Sequence, residues 1–165
     1  MKNKMRSKQN ILLRKINNRV IFKFFSLVKL PMAFLSGLRI ETLDSQECMV
    51  SVRYNYLTKN PFKSIYFACQ SMAAELSSGM LCFRATEGHN VALLVVGVEA
   101  KYTKKAVGKI NFTCSNGPQI QVSVLKALES GKGEAVTVKS VGVDEAGDIV
   151  SEFQFTWSFK KRRAK

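Results

Sequence analysis

An α+β fold, an antiparallel β-sheet wrapped around one long helix, is what the 165-residue sequence predicts. Three observations lead there. The stretch Asn60 to Phe83, NPFKSIYFACQSMAAELSSGMLCF, is apolar at helical spacing and carries a single carboxylate, Glu75. Segments with the two-residue alternation of strands lie on both sides of it. The order is then helix, two strands, long helix and four strands with a small helical excursion, an α+β arrangement.

Stepping about 100° per residue around the central helix, Ile65, Cys69, Leu76, Met80 and Phe83 share one side within roughly 80°, with Ala68 and Gly79 close by on the other. Glu75 projects about 60° from the centre of that face, at the border of the apolar stripe. Desolvation there raises a carboxyl pKa. Glu75 is therefore either a catalytic or orienting acid, or a carboxylate that leans out to solvent or accepts a backbone hydrogen bond. Periodicity by itself favours the second.

Taken in order, Ile11 to Lys29 has apolar residues at Leu12, Ile16, Val20, Phe24 and Leu27 or Val28 with basic residues opposite, an amphipathic helix expected to dock on the core. A membrane-surface helix is the lesser reading. Pro31 should end it. Leu38 to Leu43 and Glu47 to Tyr54 read as paired strands, the second with Cys48, Val50, Val52 and Tyr54 alternating with Met49, Ser51 and Arg53. A loop through Asn55 to Lys63 leads to the helix, with Ser64 as N-cap.

After a turn at Thr86 to Asn90, Val91 to Val98 is continuously apolar, a strand covered on both faces that runs on toward Tyr102. Lys109 to Ser115 is the next strand, and Gln119 to Ser130 a short helix ending at Gly131, with a strand over Ile120 to Val124 as the competing assignment. Glu134 to Val143 and Ile149 to Phe159 close the chain as a hairpin over Asp144 to Asp148. Phe153, Phe155, Trp157 and Phe159 share one face and read as core, and the preceding strand breaks its alternation at Ser140-Val141, the mark of a bulge.

A net charge of +14 suggests nucleic acid until its location is examined. Met1 to Leu30 holds nine basic residues and no acidic one, and Lys160 to Lys165 adds five, whereas Pro31 to Phe159 has twelve of each sign. The excess lies in the ends, so the chain divides into a basic extension over 1–30, a neutral domain over 31–159 and a basic tail over 160–165. No arginine- and aromatic-interleaved, helix-turn-helix or zinc-finger pattern occurs, and nucleic acid is not the expected partner. Cys48, Cys69, Cys82 and Cys114 show no C-x-x-C spacing and sit in apolar segments, as small core residues of a reducing, cytoplasmic setting do. With His89 the only histidine, and in a turn, there is little from which to build a metal site or a Ser-His-Asp triad. Lys23, Lys29 and Pro31 interrupt the apolar run Val20 to Leu38, so no membrane span is expected.

The helix segment in this strand order resembles the hot-dog fold, the superfamily of acyl-CoA thioesterases and dehydratases. Those thioesterases carry a loop Asn, a His-Gly-Gly-like triplet opening the central helix, and an Asp or Glu seven residues after the second Gly. Here Asn60, Tyr66-Phe67-Ala68 and Glu75 stand at those places, with Glu75 seven beyond Ala68. The run Glu99 to Gly108 looks like the strand leading into an aromatic-x-Lys-Pro-Ala-x-Gly turn, with Lys105 where Pro is usual, and the ending FQFTWSFKKR is similar to an uncharacterised bacterial branch. The resemblance covers Leu30 to Arg163. Tyr66, Phe67 and Ala68 replace the histidine and both glycines, which alters a backbone shaped for close ligand approach.

The resemblance implies a thioester hydrolase acting on an acyl-CoA or acyl-carrier thioester without a cofactor. The Ala68 N–H would receive the thioester carbonyl, Glu75 would act as general base or nucleophile, and Asn60 would orient substrate or water. Tyr66, Phe67, Ser71 and Ser78 would lie along the substrate, and Lys104, Lys105 or the basic tail would meet its phosphates. The central helix would be shared across a two-fold axis, so a dimer or dimer of dimers is implied. The alternative is a hot-dog protein that binds acyl groups without catalysis, and a basic protein using its ends on nucleic acid or a membrane surface ranks lowest.

Overall fold

The computed structural model describes residues 19–162. Helix α1 spans Arg19–Lys29 and α2 Pro31–Leu35; strands β1 (Arg39–Leu43) and β2 (Cys48–Arg53) precede the central helix α3 (Phe67–Thr86). Then come β3 (Val91–Tyr102), β4 (Lys109–Cys114), α4 (Gly117–Ser130), β5 (Glu134–Val143) and β6 (Ile149–Lys161). The strands form one six-stranded sheet in the order β1-β2-β4-β5-β6-β3, and every neighbour is antiparallel.

The inner face of the sheet carries the alternation read from the sequence. Phe153, Phe155, Trp157 and Phe159 of β6, Ile110, Phe112 and Cys114 of β4, and Cys48, Val50 and Val52 of β2 are all buried. Small residues on α3, Ala73, Ala74 and Ser77, let the helix lie close to this face, and the Ser77 and Ser140 hydroxyls meet at 2.8 Å to tie α3 to β5. Helix α4 packs beside α3 through Ile120, Val124 and Ala127, which removes the competing strand. A Cβ on Gly117 would collide with the Ser45 and Gln46 carbonyls, so only glycine lets the start of α4 lie on the β1-β2 turn. All four cysteines are free and buried.

Four expectations need correction. The central helix begins at Phe67, with Tyr66 and not Ser64 as N-cap, because Asn60 to Ser64 folds on itself first. The bulge of β5 falls at Gly142-Val143, beyond Ser140, where the ring of Phe112 leaves Gly142 no room for a side chain. Strand β3 is not covered on both faces within one chain, since Leu94 is 66% and Val98 56% exposed. Finally, α1 docks through Phe22 and Ser26, whereas its expected core stripe, Val20 and Phe24 with Leu27 or Val28, faces outward. The part of that stripe at Leu12 and Ile16 lies outside the described residues. Pro31 does end α1, and as the first residue of α2 it also starts the next turn.

Candidate functional site

The start of α3 is built by the loop before it. Asn55 accepts hydrogen bonds from the Leu57 and Thr58 N–H groups, and the buried Thr58 hydroxyl donates to the Arg53 carbonyl at 2.7 Å. Asn60 closes a tight loop over 60–64: its Oδ1 accepts from the N–H groups of Phe62 and Ser64, and its Nδ2 donates to the Ser64 hydroxyl. The Ile65 N–H then reaches the Ala106 carbonyl at 2.8 Å and the Tyr66 N–H the Thr58 carbonyl at 2.7 Å. Lys63 completes the turn with φ of 60°.

At the helix N-terminus the Cys69 and Gln70 N–H groups turn back to the Tyr66 carbonyl. No acceptor for the Phe67 or Ala68 N–H is found among the described residues, and no side chain caps the helix. Two donors at the positive end of a 20-residue helix are thus left open. A cleft of 620 Å³ adjoins the helix start, lined by Asn60, Tyr66, Phe67, Gln70, Tyr102 and Lys105 among others; it reaches Phe67, and Ala68 does not line it. Its aromatic wall is continuous, with Tyr66 on Phe67 (4.7 Å between centroids), Phe67 on Tyr102 (6.5 Å) and Tyr102 on Phe153 (5.6 Å). Burial raises the Tyr102 pKa. Gln70 anchors the rear: buried, it donates to the Ile65 carbonyl and accepts from the Ser151 hydroxyl.

Glu75 lies on the half-covered side of α3 in the row Phe67, Ser71, Glu75, Gly79, Phe83. Its carboxylate has no hydrogen-bond or ion-pair partner among the described residues, and desolvation pushes its pKa up. It leans over Gly79, where a Cβ would stand 3.0 Å from Oε1 and 3.4 Å from the Trp157 ring. Glu75 therefore points along the helix away from Ala68. Seven residues at about 1.5 Å of rise already separate the two by about 10 Å, so one chain does not bring acid and open amide together.

The remaining candidates divide. Ser78 is fully buried; its hydroxyl donates to the Glu75 carbonyl and accepts from Trp157 Nε1 at 3.1 Å, so it does not reach the cleft. The sheet encloses more of α3 than a helix lying on an open surface would lose, and this puts Ser78 inside. Ser71 is half-buried next to Glu75 in the row. Lys104 lines the cleft but is clamped by Asp144 (2.6 Å) and Asp148 (2.7 Å). Those two hydrogen bonds raise its pKa, and the same Lys104 bond lowers that of Asp144. Lys105 reaches the Phe62 carbonyl at 3.3 Å and carries no ion pair among the described residues. Sequence reasoning gave no role to Gly79, Gln70 or Thr58. Only Gly79 left a signal, being a glycine in a helix interior, where it costs about 1 kcal/mol relative to alanine.

Residues 18–159 match the model of a family described as "Domain of unknown function (DUF4442)". The chain belongs to that family. Its fold is the hot-dog fold of thioesterase-like proteins. A Pseudomonas aeruginosa protein of unknown function, titled a "Probable Thioesterase", superposes with a TM-score of 0.72 at 21% identity over 83% of this chain and 93% of that one. A Chlorobaculum tepidum protein of unknown function gives 0.73 at 15% identity over 85% and 92%, and a Haemophilus influenzae thioesterase 0.62 at 11% over 82% and 87%. No curated protein matches the chain by sequence. At these identities the similarity is one of fold.

Proposed function

We propose that this DUF4442 protein is an acyl-thioester hydrolase that works as a dimer on an acyl-CoA or acyl-carrier substrate. The observation that carries the reading is Glu75: a desolvated carboxylate without a partner among the described residues, on a helix whose first two N–H groups are open. A carboxylate held that way is a stronger base once ionised and is available to take a proton. The thioesterase titles of fold neighbours support the reaction class.

The two-chain arrangement follows from the separation of acid and amide. Strand β3 ends the sheet with a free edge of 12 residues, an open template for pairing. Its bulge at Val96 turns Val98 and Tyr102 to the helix side, opposite Phe155 and Ser151, yet both stay exposed. A second copy pairing there about a two-fold axis would cover them and set the two α3 helices side by side, bringing Glu75 of one copy to the Ala68 N–H of the other.

In that site the thioester carbonyl oxygen accepts from the Ala68 N–H. Glu75 takes a proton from water as the water oxygen bonds to the carbonyl carbon; the C–S bond then breaks, and the leaving sulfur takes the proton back from Glu75. Asn60 acts by holding the 60–64 loop that shapes the cleft, Tyr66 and Phe67 give the acyl chain an aromatic wall, and Ser71 lies beside the acid. Lys105 is the better phosphate contact, because the charge of Lys104 is already balanced by two aspartates. An acyl-CoA series of graded chain length tests the proposal: the protein should hydrolyse at least one member, and Glu75→Gln should lose about 100-fold or more with its fold intact. Acyl binding without turnover across the series would instead establish the non-catalytic reading, which the exposed rings of Tyr66 and Phe67 at the cleft mouth favour.

A further inference from the structure

The outward face of α1 is the largest feature that hydrolysis leaves unexplained. On an amphipathic helix the apolar stripe should face the domain. Here Phe24 is 67% and Val28 72% exposed, with Leu27 and, on α2, Met32 and Leu35 also in the open, while Phe22 and Ser26 make the contact inward. Alongside α1 runs an open groove of 710 Å³ bordered by Phe24, Leu27, Phe34 and Leu38, with the cations Lys23 and Arg39 at the same groove. Apolar walls beside cations suit an anionic amphiphile.

Charge selects among occupants. Residues 1–40 contain ten basic residues and no acidic one, so a second copy seated on this face would bring like charges together. The face also borders β1, at the opposite edge of the sheet from β3, and is therefore separate from the edge that the dimer would use. Among the described residues no helix is long and apolar enough to cross a membrane, and an exposed apolar face of this kind suits the surface of a bilayer. We infer that α1 and α2 dock the protein on the surface of an anionic phospholipid bilayer, with Phe24, Leu27 and Val28 entering the headgroup boundary and the exposed cations Lys23, Lys29 and Arg39 meeting lipid phosphates.

Sedimentation of the full chain with vesicles tests this. Vesicles of phosphatidylcholine mixed with phosphatidylglycerol should bind about tenfold or more tightly than phosphatidylcholine alone. The double variant Phe24→Gln/Val28→Gln, which touches only outward side chains and should keep its circular dichroism and melting temperature, should lose about tenfold on the mixed vesicles. Equal binding to both vesicle types overturns the inference, as does binding undiminished in the double variant, which would assign it to charge alone. If the wild type ignores vesicles and the double variant instead lowers the mass seen by light scattering, the face is a contact between copies, and the inference falls.

Discussion

Glu75 holds its position through neighbours that give it room and, among the described residues, no counter-charge. Burial raises its pKa, so the protonated form is favoured in the folded chain, and ionising it opposes folding. That penalty is absent below the carboxyl pKa of the unfolded chain, about 4.3, and grows as pH rises through the higher folded value. Glu75→Gln should therefore melt at a higher temperature than wild type at pH 7, with the difference vanishing near about pH 4. Hydrolysis should show the complementary limb, rising with pH through the same elevated pKa. Gly79→Ala separates packing from chemistry at this site. Helix propensity alone would stabilise the chain by about 1 kcal/mol, but the new methyl would press on the carboxylate and on Trp157. Turnover should fall by about tenfold or more, with little or none of the propensity gain appearing in a urea melt.

At the scale of elements, β-strand limits, the aromatic face of β6 and the central helix were legible in the sequence, because each rests on periodicity that short-range physics enforces, whereas α4 stood open against a strand over Ile120 to Val124. What failed had a common cause: periodicity tells which residues share a face, not what lies opposite. The stripe of Phe24 and Val28 was expected to face the core and faces out. The apolar run of β3 was expected to be covered twice, and within one chain its outer half is uncovered. The spacing of Asn60, Ala68 and Glu75 was legible, but not that Asn60 is consumed by its own loop, since Asx turns depend on local geometry. Gln70 was unreadable for a related reason, as its partners come from a loop and from β6. Gln70→Leu would leave the Ile65 carbonyl and the Ser151 hydroxyl without it inside the core. It should cost about 2 kcal/mol in a denaturant titration and loosen the start of α3.

Over the whole molecule, charge and apolar surface are sorted by region: a neutral domain with an uncovered β3 edge on one side, and a basic, apolar end on the other. The dimer proposed through β3 would account for the first, and Val98→Lys should break it, dropping the mass in light scattering to the 18.5 kDa of one chain and abolishing hydrolysis with it. The central claim, that each site takes Glu75 from one chain and the Ala68 N–H from the other, is tested most directly by a mixed dimer. Ala68→Pro removes the N–H in the first helical turn, where proline is tolerated, and Glu75→Gln removes the base. Each variant by itself should be inactive. A heterodimer of the two, isolated through different tags, should recover about half of wild-type turnover, because one of its two sites is then intact. A heterodimer as inactive as its parents would contradict the account.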